Sequence, residues 1–255
     1  MTPLLEASGV SVAFAGIRAL VDVSVSVRAG ERVGLIGPNG AGKTTLFNCL
    51  LGIIRPGAGR VQLNGVDVGE WPVYRRARAG MGRTFQRVEL FSDTTVREHL
   101  FVAERIRNGT GAFWKDLLGR GRPRPGEIAA CDEVLELLGI AELADQPVES
   151  LSLGQSRLVE VGRALMTGPQ VLLLDEPSSG LDRDETQALA ATLRAVQDAR
   201  GYAVLLVEHD VSLVADFTER TYVLDSGALI AEGPTADVLA DPAVRRAYLG
   251  SFEVS

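Results

Sequence analysis

A short glycine-rich segment carries the residues best suited to bind phosphate. Residues 37–44 read Gly-Pro-Asn-Gly-Ala-Gly-Lys-Thr and fit the pattern G-x-x-x-x-G-K-[ST]. An apolar run precedes the segment and a helical pattern follows it, which is the setting in which the backbone N–H groups of such a loop face phosphates. There Lys43 can reach the β- and γ-phosphates, and the Thr44 hydroxyl can ligate Mg²⁺. The sequence therefore predicts a nucleoside triphosphate site with a magnesium ion.

Two adjacent carboxylates supply the second half of this chemistry. Asp175 and Glu176 directly follow the apolar run 171–174. In open α/β sheets, ligands bind at the carboxyl ends of buried parallel strands, so both side chains are expected beside the phosphates. Asp175 is suited to hold the Mg²⁺ shell, and Glu176 is suited to orient and deprotonate an attacking water.

Charge and composition exclude several other functions. Only two of the 26 basic residues are lysines, Lys43 and Lys115, so one of the two falls in the phosphate loop. A net charge of −7 and a pI near 5.0 argue against a broad nucleic-acid surface, and no nucleic-acid partner is expected. Two arginine-rich segments, 75–78 and 120–124, are interpreted as solvated.

Length and hydropathy indicate one large domain or two small ones. The chain has 255 residues, of which 46% are hydrophobic, so it can build a proper core. No apolar stretch approaches the roughly 18 residues that a membrane span needs, and no signal peptide is recognised, so a soluble, cytoplasmic chain is expected. Two cysteines, Cys49 and Cys131, do not suffice for a disulfide framework or a metal cluster, and Cys49 is predicted to lie in the core.

The elements that must position these residues follow from periodicity. Alternating valines at 21–27 predict a strand, and 43–51 predicts a helix that ends at Gly52. Asn64-Gly65 predicts a hairpin turn. The segment 98–165 has mostly helical periodicity, interrupted by a Gly/Arg/Pro-rich stretch, 109–126, that reads as a loop.

The remaining pattern alternates between strands and helices. Ile128, Leu135 and Leu138 are predicted to share one buried helix face in the middle of the chain. The runs 171–174 and 203–207 are typical of strands buried on both faces of a parallel sheet. A helix start is expected near Asp182, which has a capping-box partner in Glu185, and Thr235 and Asp241 are predicted to be the N-caps of short C-terminal helices. Together these features predict an α/β nucleotide-binding core with an inserted helical subdomain.

At this point the sequence resembles the ATP-binding subunits of ABC transporters over nearly its whole length. The segment 151–155, Leu-Ser-Leu-Gly-Gln, resembles the signature motif of that family, L-S-G-G-Q in its commonest form, from which it departs at Leu153. The resemblance implies that Ser152, Gly154 and Gln155 of one subunit contact the γ-phosphate bound to another. It also implies a P-loop NTPase core with an N-terminal antiparallel β subdomain and an α-helical subdomain at about 87–165, in one domain covering 1–255.

Other landmarks of the family occur in the expected order. Phe14 is similar to the aromatic residue that stacks on adenine, Gln86 to the glutamine of the Q-loop that touches the metal or water, and His209 to the histidine that contacts the γ-phosphate. Asp182 ends the segment that resembles the D-loop, which crosses the dimer interface. The resemblance implies ATP and Mg²⁺ as ligands, and a nucleotide-binding set that comprises Phe14, Gly37, Pro38, Asn39, Gly40, Ala41, Gly42, Lys43, Thr44, Thr45, Ser152, Gly154, Gln155 and Asp182.

A finer resemblance points to the branched-chain amino acid importers. The segments 83–86, 95–100, 207–210 and 247–250 are similar to that branch, and a bulky residue before Gly154 occurs in it. The resemblance implies a second ATP-binding subunit, transmembrane permease subunits and, indirectly, a substrate-binding protein as partners, with the chain at the inner face of the cell membrane. Leu90 and Phe91 are hypothetical permease contacts, although core packing is the expected role of at least one of them.

The sequence is also compatible with other functions. Urea and short-chain amide importers share the same type of subunit. A non-transport ABC ATPase acting in macromolecular assembly, and a non-hydrolysing scaffold, are two further alternatives. Intact Glu176 and His209 argue against the scaffold.

Overall fold

The computed structural model describes residues 2–84, 93–108 and 124–249. The strands are β1 Leu5–Phe14, β2 Ile17–Val27, β3 Arg32–Ile36, β4 Ala58–Leu63, β5 Val66–Asp67, β6 Met81–Arg83, β7 Val171–Asp175, β8 Ala203–Val207, β9 Arg220–Asp225 and β10 Ala228–Pro234. The helices are α1 Lys43–Leu51, α2 Val73–Arg78, α3 Val96–Asn108, α4 Pro125–Leu137, α5 Leu153–Met166, α6 Arg183–Arg200, α7 Val211–Phe217, α8 Thr235–Ala240 and α9 Pro242–Leu249. Among the described residues, no helix is both long and apolar enough to cross a bilayer.

A six-stranded sheet forms the centre of the molecule. Its order is β10-β9-β3-β8-β7-β6, with β9, β3, β8, β7 and β6 parallel and β10 antiparallel at one edge. The predicted runs at 171–174 and 203–207 are fully buried in adjacent strands of this sheet. Val207 pairs with both Leu35 and Asp175, so β3, β8 and β7 end side by side at one edge.

A second, antiparallel sheet has the strand order β2-β1-β4-β5. It shares a hydrophobic core with α1 and with one face of the six-stranded sheet. The predicted alternation in β2 holds for Val23, Val25 and Val27, which are buried. Val21 departs from it and is 39% exposed. The backbone of Asp22 has a positive φ of 51°, and this irregularity shifts the face that the strand presents.

The middle helices share one apolar core. Helix α5 packs closely on its neighbours through Gly162, where an added Cβ would lie 2.9 Å from Leu138 Cδ1 and 3.0 Å from Leu100 Cδ2. Leu135 and Leu138 are buried as predicted, but Ile128 is 38% exposed, so its placement on that buried face was wrong. Ile128 lies in the first turn of α4, before the helix reaches the core.

Three other local predictions need correction. Helix α4 begins at Pro125, so the end of the predicted 109–126 loop is helical, because proline is well suited to a first helical turn. Helix α8 begins at Thr235 itself and its N-cap residue is Pro234. Arg76 is not solvated but only 1% exposed, and its guanidinium donates to Cys49 O at 2.8 Å and Leu50 O at 2.6 Å, the carbonyls at the end of α1.

Candidate functional site

The phosphate loop connects β3 to α1 in a conformation that requires glycine. Gly40 and Gly42 have φ of +81° and +104°, a region that residues with a side chain rarely adopt. At Gly37, an added Cβ would lie 2.1 Å from Leu224 O. The loop leads straight into the N-terminus of α1, whose first residue is Lys43. Its backbone N–H groups and the helix dipole therefore favour an anion there.

The loop is also held from outside. Gly227 N donates to Ala41 O at 3.0 Å, and Val21 N donates to Gly227 O at 2.8 Å. An added Cβ on Gly42 would lie 2.7 Å from Ala19 O. The loop is thus braced by β2 and by the turn between β9 and β10, two contacts that sequence periodicity did not predict.

Lys43 lies buried beneath this loop. Its Nζ donates to Gly37 O at 2.7 Å and to Pro38 O at 3.1 Å. Burial lowers the pKa of the Lys43 ammonium, while the nearby Glu176 and Asp175 carboxylates oppose that effect. The ammonium is therefore held against the loop by two carbonyl oxygens, within electrostatic reach of the carboxylates.

The predicted carboxylate pair lies at the end of β7, beside the phosphate loop. Burial, together with the neighbouring carboxylates of Glu176 and Glu208, raises the pKa of Asp175 to about 6, although Arg83 and Lys43 act in the opposite direction. Three carboxylates thus converge near one lysine. A site of this kind attracts a cation, because a cation relieves the repulsion among the ionised groups.

The donor set fits Mg²⁺. Magnesium prefers oxygen ligands and is usually held by one or two protein groups together with phosphate oxygens and water. Asp175 provides a carboxylate, and Thr44 has an exposed side chain in the first turn of α1. Thr45, next to it, is half-buried. The oxygen donors of Asp175 and Thr44 beside the phosphate loop support a metal here, and a cation would offset the burial and the neighbouring carboxylates that raise the pKa of Asp175.

Glu176 has an unusual backbone conformation. Its φ is +46°, and its N–H donates to Val207 O at 2.9 Å, which ties the ends of β7 and β8 together. A residue with a side chain in this region costs of order 1–3 kcal/mol and persists where the surroundings impose it. Such outliers cluster at functional sites, which is consistent with the role predicted for this carboxylate.

His209 lies next to both acidic groups at this edge. Its Nδ1 is 3.8 Å from Glu176 Oε2 and 3.8 Å from Glu208 Oε2, and about half of its side chain is exposed. The structure therefore brings together Lys43, Asp175, Glu176 and His209 from three strand ends, as the sequence predicts.

Glu208 is a member of this site that sequence reasoning missed. It is fully buried, and burial raises the pKa of its carboxyl. The Ser178 N–H and hydroxyl donate to its Oε1 at 2.9 and 2.7 Å, and the N–H of His209 donates to its Oε2 at 3.1 Å. Glu208 thereby joins the loops that carry Glu176 and His209. The sequence did offer a signal for Glu208, because its carboxylate directly follows a wholly apolar strand and directly precedes His209.

Phe14 ends β1 at the hairpin that contacts the phosphate loop. Its side chain is 50% exposed, and it pairs with Ile17 across the turn. The following strand passes Ala19 and so reaches Gly42. An aromatic face is therefore available on the element that flanks the loop.

The segment that resembles the signature motif lies at the N-terminus of α5. Ser152 is the N-cap of α5: its Oγ accepts from Gln155 N at 3.2 Å, and Gln155 Oε1 accepts from Ser152 N at 2.9 Å. Asp182 caps α6 in the same way with Glu185. Within the described part of the chain, Ser152, Gly154, Gln155 and Asp182 make no hydrogen bond or ion pair with Lys43, Asp175, Glu176 or His209.

Three predicted residues cannot be placed. Gln86, Leu90 and Phe91 lie outside the described residues, as does Lys115.

An apolar groove lies beside β6. It encloses about 310 Å³ and is lined by the C-terminal end of α1, by α2 and β6, and by α3 and α5; the lining side chains include Val73, Met81, Arg83, Val102 and Ala164. We call it the β6 groove. The chain leaves it at Arg83, two residues before the segment that contains Gln86.

Comparison with known proteins identifies two family matches. Residues 20–179 match the family described as ABC transporter. Residues 228–253 match the family described as branched-chain amino acid ATP-binding cassette transporter.

Individual relatives match along almost the whole chain. BraF of Pseudomonas aeruginosa, a high-affinity branched-chain amino acid transport ATP-binding protein, is 38% identical over 97% of this chain and 98% of its own length. LivG of Salmonella typhimurium, with the same description, is 39% identical over 97% and 98%. The solved structure of the ADP conformation of MJ1267, an ATP-binding cassette of an ABC transporter, is 30% identical, covers 98% of this chain and 100% of its own, and has a TM-score of 0.85. This likeness confirms the predicted α/β fold.

Proposed function

The chain belongs to the ATP-binding family of ABC transporters, and we propose that it hydrolyses ATP to drive the import of branched-chain amino acids. Its nucleotide-binding and ATPase character follows from the family. The observation that carries the choice of substrate is the match of 228–253, which begins at β10 and extends past α9, to a family described by branched-chain amino acids. The naming of BraF and LivG supports the same choice.

Each residue of the site then has a role in binding the nucleotide. The loop 37–45 binds the phosphate chain through its N–H groups, and Lys43 neutralises charge on the β- and γ-phosphates. Thr44 and Asp175, with Gln86 as the third expected ligand, would hold Mg²⁺, which would offset the charge of the phosphate oxygens when bound. Phe14 stacks on the adenine.

Glu176 orients the attacking water and accepts its proton. The water oxygen bonds to the γ-phosphorus while the bond from that phosphorus to the bridging oxygen of ADP breaks, which yields ADP and phosphate. His209, 3.8 Å from Glu176, contacts the γ-phosphate from the neighbouring strand end. Glu208 fixes the distance between the two loops through Ser178.

Two such subunits complete each ATP site. Ser152, Gly154, Gln155 and Asp182 lie at the N-termini of α5 and α6 and, within the described residues, make no hydrogen bond to the phosphate loop of their own chain. A helix N-terminus favours a phosphate, so these residues suit the ATP of a second subunit, which is a copy of this chain or a sister ATPase. ATP binds the closed dimer better than the open one, and hydrolysis removes the bridging contacts.

The permease subunits are proposed to dock at the β6 groove. Its lining is mostly apolar, and β6, which lines it, directly precedes in the sequence the segment that contains Gln86, Leu90 and Phe91. ATP-driven closure can thereby move the permease, which receives its substrate from a binding protein on the far side. In this arrangement the chain lies at the inner face of the membrane and does not touch the transported molecule.

A gene-replacement experiment tests the proposed substrate. The gene is deleted from its host, and uptake of labelled leucine and labelled urea is measured after complementation with the wild-type gene or with Glu176→Gln. We expect the wild-type gene alone to restore leucine uptake. Restoration of urea uptake, with leucine uptake unaffected by the deletion, would contradict the proposed substrate and favour the urea and amide importers.

A further inference from the structure

Three charged side chains form a buried row along α5. Arg157, Glu160 and Arg163 are spaced three residues apart and therefore share one helix face. Glu160 Oε2 lies 3.3 Å from Arg157 Nη1, and Glu160 Oε1 lies 3.9 Å from Arg163 Nη2. Only 1% of the Glu160 side chain and 6% of the Arg157 side chain are exposed. We call these three residues the ionic row.

One end of the ionic row reaches the β6 groove. Arg163 lines the groove beside Ala164 and Thr167, and 15% of its side chain is exposed. A partner seated in the groove would therefore meet this guanidinium.

The other end holds the turn that precedes α6. Arg157 Nη2 donates to Ser179 O at 3.2 Å. A Cβ placed on Gly180 would lie 2.9 Å from Leu153 Cδ2, so the leucine in the first turn of α5 lies directly against this glycine. The 179–182 turn, which ends in the cap residue Asp182, is thus fastened to α5 by a polar and an apolar contact.

The ionic row is not explained by a gain in the free energy of unfolding. A buried ion pair loses much of its Coulombic gain to desolvation, and apolar side chains of similar volume often replace such pairs without loss of stability. Buried charges do impose a particular geometry on their partners, because an unpaired charge in the interior is costly. The row therefore fixes how α5, the 179–182 turn and the edge of the β6 groove are arranged.

We propose that the ionic row couples the 179–182 turn to the β6 groove, with Arg157 and Glu160 as positioning residues for the ATP-driven closure. This inference rests on the proposed function, because it requires that ATP converts an open dimer into a closed one. When ATP draws the 179–182 turn against a second subunit, the Arg157 contact moves α5 with it. The α5 residues that line the groove then shift as well.

Hydrogen exchange on the full chain tests this coupling. Exchange is followed at 37–45, at 179–182 and at the groove segments 81–84 and 162–168, with and without Mg²⁺ and ATP, in a Glu176→Gln background that retains ATP. We expect ATP to slow exchange in the groove segments at least about fivefold, the lower end of ordinary allosteric couplings.

The diagnostic variant replaces two members of the row with methionine. Arg157→Met/Glu160→Met removes the two most buried charges together, so neither of them is left without the other, while Arg163, which also loses Glu160, keeps 15% of its side chain exposed to solvent at the groove. We expect the ATP response of the groove segments to fall below about twofold, while that of 37–45 is retained. Arg157→Lys is a second variant, because one ammonium cannot take the place of a guanidinium that contacts Glu160 and Ser179 O through separate nitrogens. Arg194→Met, at an exposed position on α6, is the matched control.

The outcomes separate the inference from the function on which it rests. Loss of the groove response in the double variant and in Arg157→Lys, with the control unchanged, supports the coupling. A groove response that survives in either variant overturns it, as does an unresponsive groove in the parent chain when 37–45 is protected. If ATP fails to protect 37–45 in the parent chain, the proposed function itself is wrong.

Discussion

Replacing Asp175 with asparagine should make the nucleotide-free protein more stable at neutral pH, even though it removes a proposed Mg²⁺ ligand. The pKa of this carboxyl is raised from 3.8 to about 6, first by burial and then by Glu176 and Glu208. The folded chain therefore retains a proton that the unfolded chain releases. Stability contributed by this group falls as pH rises from about 4 to about 6, and the penalty is fully present at pH 7.

The size of the effect follows from the shift. Each pKa unit corresponds to 1.36 kcal/mol, so a shift of about two units sets an upper limit near 3 kcal/mol. Asp175 is partly accessible to solvent, which screens the interaction, so a gain of about 1–2 kcal/mol is expected for Asp175→Asn at pH 7. For a chain of this size the melting temperature should rise by about 2–8 °C.

Thermal unfolding between pH 4 and pH 8 provides the assay. The wild-type protein should lose stability relative to Asp175→Asn across the interval from about 4 to about 6, and Asp216→Asn, an exposed aspartate on α7, should track the wild type. Adding Mg²⁺ and ATP should stabilise the wild type more than Asp175→Asn. A variant that is equally stable or less stable at pH 7, with no change in the pH profile, would refute the argument that burial and the neighbouring carboxylates penalise the ionised form of Asp175.

Three further perturbations have defined outcomes. Gly37→Ala should abolish ATP binding and lower the melting temperature, because its Cβ would lie 2.1 Å from Leu224 O; normal binding in an equilibrium titration would contradict this. Phe14→Ala should weaken ATP binding by about 1–3 kcal/mol with little change in melting temperature, and equal losses of ATP and inorganic triphosphate binding would argue against stacking on the base. Arg76→Met should destabilise the chain by about 1–3 kcal/mol in urea unfolding, because the carbonyls of Cys49 and Leu50 lose their buried bonds from the guanidinium; Arg75→Met, at an exposed position on the same helix, is the control.

Local chemistry was predictable from sequence where one segment determines it. The helix at 43–51, its end at Gly52, and the capping box of Asp182 and Glu185 all occur as predicted, because caps and turns depend on neighbours along the chain. The approach of Asp175 to Lys43 followed from a general rule about the edges of parallel sheets.

Long-range partners could not be predicted in the same way. Arg76 is one of three arginines within residues 75–78 and looks solvated, yet it is buried because it donates to carbonyls at the end of α1, more than twenty residues earlier. Glu208 looked like a neighbour of His209 rather than the acceptor for Ser178, thirty residues earlier in the chain. Ile128 has the right spacing for a core residue but lies in a helix turn that does not reach the core. The burial or the hydrogen-bond partner of each of these residues depends on which helices and strands pack together. Local periodicity does not reveal that packing.

The most direct test of the central claim is phosphate release by the purified chain with Mg²⁺ and ATP, measured beside equilibrium ATP binding for the wild type and for Glu176→Gln. We predict that the wild type releases phosphate and that Glu176→Gln binds ATP normally but turns over at least about 100-fold more slowly, as expected on loss of a general base. Near-normal turnover in Glu176→Gln would remove that carboxylate from the role of base. Absence of phosphate release by a wild-type chain that binds ATP would contradict the account as a whole.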